Sequence, residues 1–246
     1  FDHAATTPIH PEVVAEMIPV LEKTFGNPSS VHYYGRQARK ILDEARRTIA
    51  KSINASDNEI IFTSGGTEAD NLALLGVARQ NKHKGKHIIT TAIEHHATLH
   101  TAEYLEKEGF EVTYLPVNES GQISIDDLEK SLRDDTILVS IMYVNNETGV
   151  IQPIQEIGFM LENHQAVFHT DAVQAYGLIP IDVQMLGVDL LSTSAHKING
   201  PKGVGFLYAK EGVMLEAIQH GGEQERKRRA GTENTAAIKG FEKAVE

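Results

Sequence analysis

Seven short β-rich runs alternate with helical patterns along this chain, and that alternation restricts it to an α/β domain built on a largely parallel sheet. The runs fall at 59–63, 87–91, 111–115, 136–142, 166–170, 190–193 and 205–208. Helical periodicity predicts helices at 11–23, 36–53, 68–80, 98–108, 125–132 and 154–163, with a further amphipathic stretch at 236–246. No repeat, low-complexity tract or long linker interrupts the series. The residues with chemical character cluster just past the β-rich runs. Thr63-Ser64-Gly65-Gly66-Thr67, His95-His96, Asn145-Asn146, Asp171 and Ser194-Ala195-His196-Lys197 all do so. In open α/β sheets the ligand crevice forms at the carboxyl ends of the strands.

Composition narrows the function classes. With 23 Lys+Arg against 34 Asp+Glu the formal charge is -11, which argues against a nucleic-acid backbone as partner. The longest apolar run, 136–144, suits a buried strand and is too short to cross a bilayer. The absence of cysteine excludes a disulfide framework and thiolate metal ligands. Phe1 opens the chain without a methionine, so a removed leader would leave no trace, and 236–246 carries no C-cap signal. The chain is expected to be part of a longer one.

Lys197 sits in Ser194-Ala195-His196-Lys197-Ile198-Asn199-Gly200-Pro201-Lys202-Gly203. A lysine becomes a carbonyl nucleophile when burial or nearby cations lower its pKa, and His196, Lys202 and the Gly/Pro turn offer both. Pyridoxal phosphate chemistry needs such a lysine and a carboxylate that keeps the ring nitrogen protonated. Asp171 is the candidate carboxylate; its alternative role is a helix N-cap. Gly65-Gly66-Thr67 joins a strand to a helix, with free amides suited to a phosphate, and Thr67 and Asp70 have capping-box spacing. The simpler alternative is an ordinary glycine turn. His95 suits stacking on a cofactor ring and proton transfer; alternatively one histidine of the pair caps the next helix while the other faces solvent. His96 and His100 have the i, i+4 spacing of a metal pair but lack a His-Glu-x-x-His pattern, so no metal site is assigned. The run Arg226-Lys227-Arg228-Arg229 reads as solvated surface.

Together these segments resemble the class V aminotransferase group of fold-type I pyridoxal phosphate enzymes, and within it the bacterial cysteine desulfurases. The likeness runs from Asp2-His3-Ala4-Ala5-Thr6-Thr7-Pro8 through Phe25-Gly26-Asn27-Pro28-Ser29-Ser30 to Gly231-Thr232-Glu233-Asn234. It implies that residues 1–246 form the cofactor-binding large domain, a mainly parallel mixed sheet flanked by helices. Residues 1–10 would be an extension packing near the active site, and a C-terminal small domain would lie outside this chain. By the same resemblance Lys197 forms the Schiff base, Asp171 pairs with the ring nitrogen, Gln174 bonds the ring's phenolic oxygen and His95 stacks on the ring as acid/base partner. Gly66, Thr67, Ser194 and His196 fall where the family binds phosphate, Thr232 where it reaches the neighbouring subunit's phosphate, and Asn146 beside cofactor and substrate. The basic run then belongs to the dimer surface around Thr232.

The implied activity is removal of sulfur from L-cysteine, giving alanine and an enzyme persulfide for a sulfur-acceptor protein in iron–sulfur cluster assembly or tRNA thiolation. A cytoplasmic homodimer with shared active sites is implied as well. The sequence departs from the family in one respect: the nucleophilic cysteine and a substrate-binding arginine belong to a C-terminal part not present here, so this piece alone is expected to be inactive. Selenocysteine lyase, cysteine-sulfinate lyase or aminotransferase activity, and a non-catalytic docking scaffold, are the competing readings.

Overall fold

The structure is a computed structural model and describes residues 2–246. Seven strands form one mixed sheet: β1 (Ile60–Thr63), β2 (His87–Thr91), β3 (Glu111–Leu115), β4 (Thr136–Ser140), β5 (Val167–Asp171), β6 (Leu190–Ser192) and β7 (Gly205–Ala209). Their order is β1-β7-β6-β5-β4-β2-β3. β7 runs antiparallel to both neighbours, and the other pairings are parallel. This is the mainly parallel mixed sheet expected from the alternation.

Strand residues alternate between two apolar layers, as a period of two requires when both faces are covered. Ile60, Phe62, Phe206 and Tyr208 join one layer, with Leu42 and Ile49 of α2 (Tyr33–Ser52) and Phe241 of α8 (Thr235–Val245). Ile61 and Leu207 face the other, with Leu72, Leu74 and Val77 of α3 (Gly66–Asn81) and Leu105 of α4 (His96–Lys107). The remaining helices are α1 (Pro11–Lys23), α5 (Ile125–Ser131), α6 (Ile154–Leu161) and the four-residue α7 (Val183–Leu186). None among the described residues is long and apolar enough to cross a membrane.

Three helices start on histidine caps. The Nδ1 atoms of His10, His32 and His95 accept from the amides of Glu12, Gly35 and Ala97, at 3.3, 3.3 and 3.1 Å. Each bond satisfies a backbone donor that the first helical turn leaves free. They explain why α2 and α4 begin two or three residues before their apolar periodicity does. The expected Thr67/Asp70 capping box does not form. Gly65 is the cap residue of α3, and Asp70 is turned into the protein interior.

One buried ion pair ties α2 to the segment before α8. Arg46 grips Glu225 through both guanidinium nitrogens, at 2.8 and 2.6 Å, and donates to the Ile60 carbonyl at 2.6 Å. Glu225 also accepts from the Phe62 amide at 2.9 Å, and the Arg46 guanidinium lies 4.6 Å from the Phe62 ring centre. Glu225, Arg226 and Lys227 all have left-handed backbones, with φ of 45, 56 and 67°. Such a run is costly for residues with a Cβ, so this segment is held by its contacts and not by local preference. The basic run is therefore not merely solvated. Arg229 pairs with Glu68 at 2.7 Å, and Arg228 donates to the Asn58 carbonyl.

Candidate active site

The carboxyl ends of β1, β2, β4, β5 and β6 bring their following loops to one cavity of ≈ 390 Å³. Its lining includes Gly66, Thr67, His95, Asn146, Asp171, Gln174, Ser194, His196 and Lys197. Of the ten site residues named from sequence, only Thr232 lies outside it, exposed just before α8.

Anion-binding character gathers where β1 meets α3. The first helical bond of α3 runs from Ala69 N to Gly65 O, so the amides of Gly66, Thr67 and Glu68 have no helical acceptor. Gly65 has φ of 145°, a conformation open to glycine. A Cβ on Gly66 would stand 2.7 Å from Val173 Cγ2, so the backbone approaches the cavity wall more closely than a larger residue allows. The Ser194 hydroxyl lies close by, 3.6 Å from where a Gly65 Cβ would sit. An α-helix of this length adds its dipole to the free amides.

Asp171 ends β5 and is 5% exposed. Its Oδ1 accepts from Val173 N at 2.9 Å in a turn that no helix continues, so the helix-cap alternative fails. Burial raises its pKa, while the Val173 amide and the charges of His95 and Lys197 pull it down. His95 serves two roles that the sequence presents as alternatives: it caps α4 and it lines the cavity. With Nδ1 accepting the Ala97 amide, the ring proton sits on Nε2. His96 is exposed, its ring 5.1 Å from that of His100, and among the described residues no group of three ligating side chains is arranged to hold a metal.

Lys197 closes a short 3₁₀ turn, Ala195–Lys197, after β6. Its pKa is lowered by burial, with Asp171 and Asp2 acting in the opposite sense. The neighbouring cations named from sequence do not contribute to that lowering. Instead burial, then Lys197 and Lys202, push the His196 pKa down. Residues 2–10 run alongside: Lys197 Nζ donates to the carbonyls of Ala4 and Ala5, the latter at 3.0 Å, and Gln174 Nε2 donates to Ala4 at 2.8 Å. Thr7 bonds the His196 carbonyl through both its amide and its hydroxyl. The bond to Ala4 uses one of the two N–H donors of the Gln174 amide and leaves the second for a phenolic oxygen.

Sequence reading missed Asn145 and Glu94 as organisers. Asn145 Nδ2 donates to the Ile93 carbonyl, and its Oδ1 accepts from the amides of Glu147 and Thr148, which shapes the turn that presents Asn146. Buried Glu94 accepts from Thr91 Oγ1 and Met142 N through Oε1, pinning the loop that carries His95 to the end of β4. Its Oε2 has no partner, and burial raises its pKa to about 8. A carboxyl whose folded pKa lies above its unfolded value binds its proton more tightly when folded. Stability from this group is therefore present at low pH and lost as pH rises from about 4.5 to about 8. Glu94→Gln is expected to flatten that loss, which is on the order of 4 kcal/mol, in denaturant titrations at roughly pH 5 and 8. Parallel pH dependence in both proteins would contradict it.

The residues present fit pyridoxal phosphate. There is an anion cradle at α3, a buried carboxylate for a ring nitrogen, an amine for an aldehyde, and an imidazole N–H between β2 and α4, in a cavity of cofactor size. The comparisons agree. The chain is 59% identical over 244 residues to the putative cysteine desulfurase IscS 1 of Bacillus subtilis, covering 99% of this chain and 64% of that protein. It is 56% identical over 245 residues to the cysteine desulfurase IscS of Methanosarcina thermophila, covering 100% and 61%. It thus spans less than two thirds of the length of these relatives. Among solved structures, a NifS-like protein superposes with a TM-score of 0.97 at 43% identity over 100% of this chain and 68% of that one. SspA in complex with cysteine gives 0.97 at 42%, covering 100% and 71%. The sheet and its helices are those of fold-type I, a group whose class V members use pyridoxal phosphate. The aminotransferase class-V profile matches residues 1–246, so the chain belongs to the aminotransferase class-V family.

Proposed function

We propose that this chain is the cofactor-binding large domain of a pyridoxal phosphate-dependent cysteine desulfurase. The observation that carries the reading is the convergence of Lys197, Asp171, His95 and the free amino end of α3 on one cavity. The identity to named cysteine desulfurases supports the substrate. When bound, pyridoxal phosphate supplies the electron sink. Lys197 is the amine that holds the aldehyde and then the base for the substrate's Cα proton. Asp171 keeps the ring nitrogen protonated, and the amides of Gly66 and Thr67 with Ser194 and His196 hold the phosphate. His95, with its proton on Nε2, stands ready to donate. Asn146 lies on the substrate side, and Thr232 of one subunit completes the phosphate site of the other in a homodimer.

The net reaction joins the sulfur of L-cysteine to an acceptor thiol. The carbon–sulfur bond breaks, a sulfur–sulfur bond forms, and the carbon takes a proton to give alanine. No cysteine occurs among these 246 residues, so the acceptor thiol comes from elsewhere. A sulfur-acceptor protein serving iron–sulfur cluster assembly or tRNA thiolation, and a cytoplasmic location, belong to the same proposal.

The test uses the complete protein loaded with pyridoxal phosphate. L-cysteine is expected to yield alanine and sulfane sulfur in equal amounts. Amino exchange with a keto acid and no sulfur release would instead favour an aminotransferase. Asp171→Asn should fold normally and lower turnover by about 10²–10³-fold, because the ring nitrogen loses the charge that keeps it protonated. Unchanged turnover would remove Asp171 from its role.

A further inference from the structure

Behind Asp171 lies a layer of polar groups that the proposed chemistry does not use. Asp70 of α3 is 1% exposed, lines the cavity wall, and its Oδ1 has no hydrogen-bond partner. His169 is fully buried and shares one face of β5 with Asp171, two residues on. Its Nε2 stands 3.6 Å from Asp70 Oδ1 and 2.9 Å from Ser192 Oγ, and its Nδ1 is 2.8 Å from Ser140 Oγ. Both ring nitrogens are thus satisfied by neutral hydroxyls.

Burial holds His169 neutral, with its pKa pushed down to about 3, so Asp70 faces no cation there. An ionised Asp70 would be a buried charge with an unpaired oxygen beside a second carboxylate, an arrangement that costs more than keeping the proton. Burial and the neighbouring Asp171 and Glu94 all raise the Asp70 pKa, and the Ser192 hydroxyl opposes them only in part. The titratable groups facing this layer are His169 and Asp171 of β5 and Glu94 before α4, with His95 and Lys197 across the cavity.

We propose that Asp70 and His169 are positioning residues, a neutral layer that leaves the cavity floor with one negative charge and keeps it on Asp171, where a protonated ring nitrogen docks. The inference rests on the pyridoxal phosphate reading and deepens it. A floor carrying two charges would divide the attraction for the ring nitrogen between two carboxylates. A neutral acid leaves Asp171 a polar neighbour that does not compete for the cation.

The deciding experiment is infrared spectroscopy of the cofactor-free protein near neutral pH. Near neutral pH Glu94 is protonated as well and adds a carbonyl band of its own; the Asp70 band should be lost in Asp70→Asn and remain in Glu94→Gln, which loses only the other. A spectrum that Asp70→Asn leaves unchanged would overturn the proposal. If that variant does not fold, wild-type protein carrying carboxyl-labelled aspartate should shift the band, and an unshifted band would overturn the proposal equally. On loading with pyridoxal phosphate, Asp70→Asn should bind within about threefold of wild type, while Asp70→Leu, which cannot hydrogen-bond, should bind at least about tenfold more weakly. Equal affinity of the two variants would reduce Asp70 to packing, and a tenfold loss in a folded Asp70→Asn would show that its charge is required. Because the infrared band is read without cofactor, failure here is separate from failure of the cofactor reading, which trapping on Lys197 decides.

Discussion

Lys197→Ala is expected to abolish the reducible adduct with pyridoxal phosphate and to lower turnover of the complete protein by about 10³–10⁴-fold, while leaving the melting temperature near that of wild type. The two halves of the prediction have separate causes. Lys197 is the one amine among the described residues lining the cavity, and its depressed pKa makes it a better carbonyl nucleophile than a surface lysine. Losing it removes both the covalent anchor and the base, and positioned bases are worth about 10²–10⁴-fold alone. Its folded-state partners are the carbonyls of Ala4 and Ala5, which are exposed enough to turn to water. Absorption after adding cofactor, turnover and a thermal melt together check the result. Full biological activity of the complete protein in a folded Lys197→Ala variant would favour the docking-scaffold reading, and retained turnover would remove Lys197 from its catalytic role.

Arg46→Met should cost about 3–5 kcal/mol of folding stability, a drop of roughly 6–20 °C in melting temperature for a domain of this size. The reason is the carboxylate left behind. Both side chains are at most 6% exposed, and the buried Glu225 carboxyl would lose both Arg46 donors and keep the Phe62 amide. Glu225 also sits in a segment with left-handed backbone at three successive residues, so its contact with α2 is what holds that segment against the sheet. Adding Glu225→Leu to Arg46→Met should recover part of the loss, since a buried pair replaced by apolar groups is often near neutral. An Arg46→Met variant as stable as wild type would show that the pair contributes nothing. Thermal melts of the two variants decide the matter.

The sheet was legible in the sequence because parallel strands covered on both faces are written as apolar, β-branched runs such as Ile60-Ile61-Phe62 and Ile137-Leu138-Val139. The helix starts were less so. Histidine is not among the usual caps, and His10, His32 and His95 cap through ring nitrogens that no short pattern announces. Nine of the ten residues named from sequence line one cavity because they follow strand ends, where ligand crevices form. The burial of Asp70 and the contacts of Glu94 and Asn145 went unread for a common reason. Asp70 carries capping-box spacing, Glu94 sits beside a more conspicuous histidine pair, and Asn145 beside a more conspicuous asparagine. Their functions depend on burial and on partners distant in sequence, such as Met142 for Glu94 and Ile93 for Asn145. Of the two sources read for the Lys197 pKa shift, burial holds and the adjacent cations do not, since cations near in sequence need not lie near in the fold.

The central claim is that Lys197 is the residue to which pyridoxal phosphate attaches, and borohydride reduction followed by peptide mass mapping tests it directly. The predicted result is one cofactor-labelled peptide carrying the adduct on Lys197, with loss of the visible absorption band on reduction. A label on Lys202, or spread over exposed lysines while Lys197 stays unmodified, would contradict it.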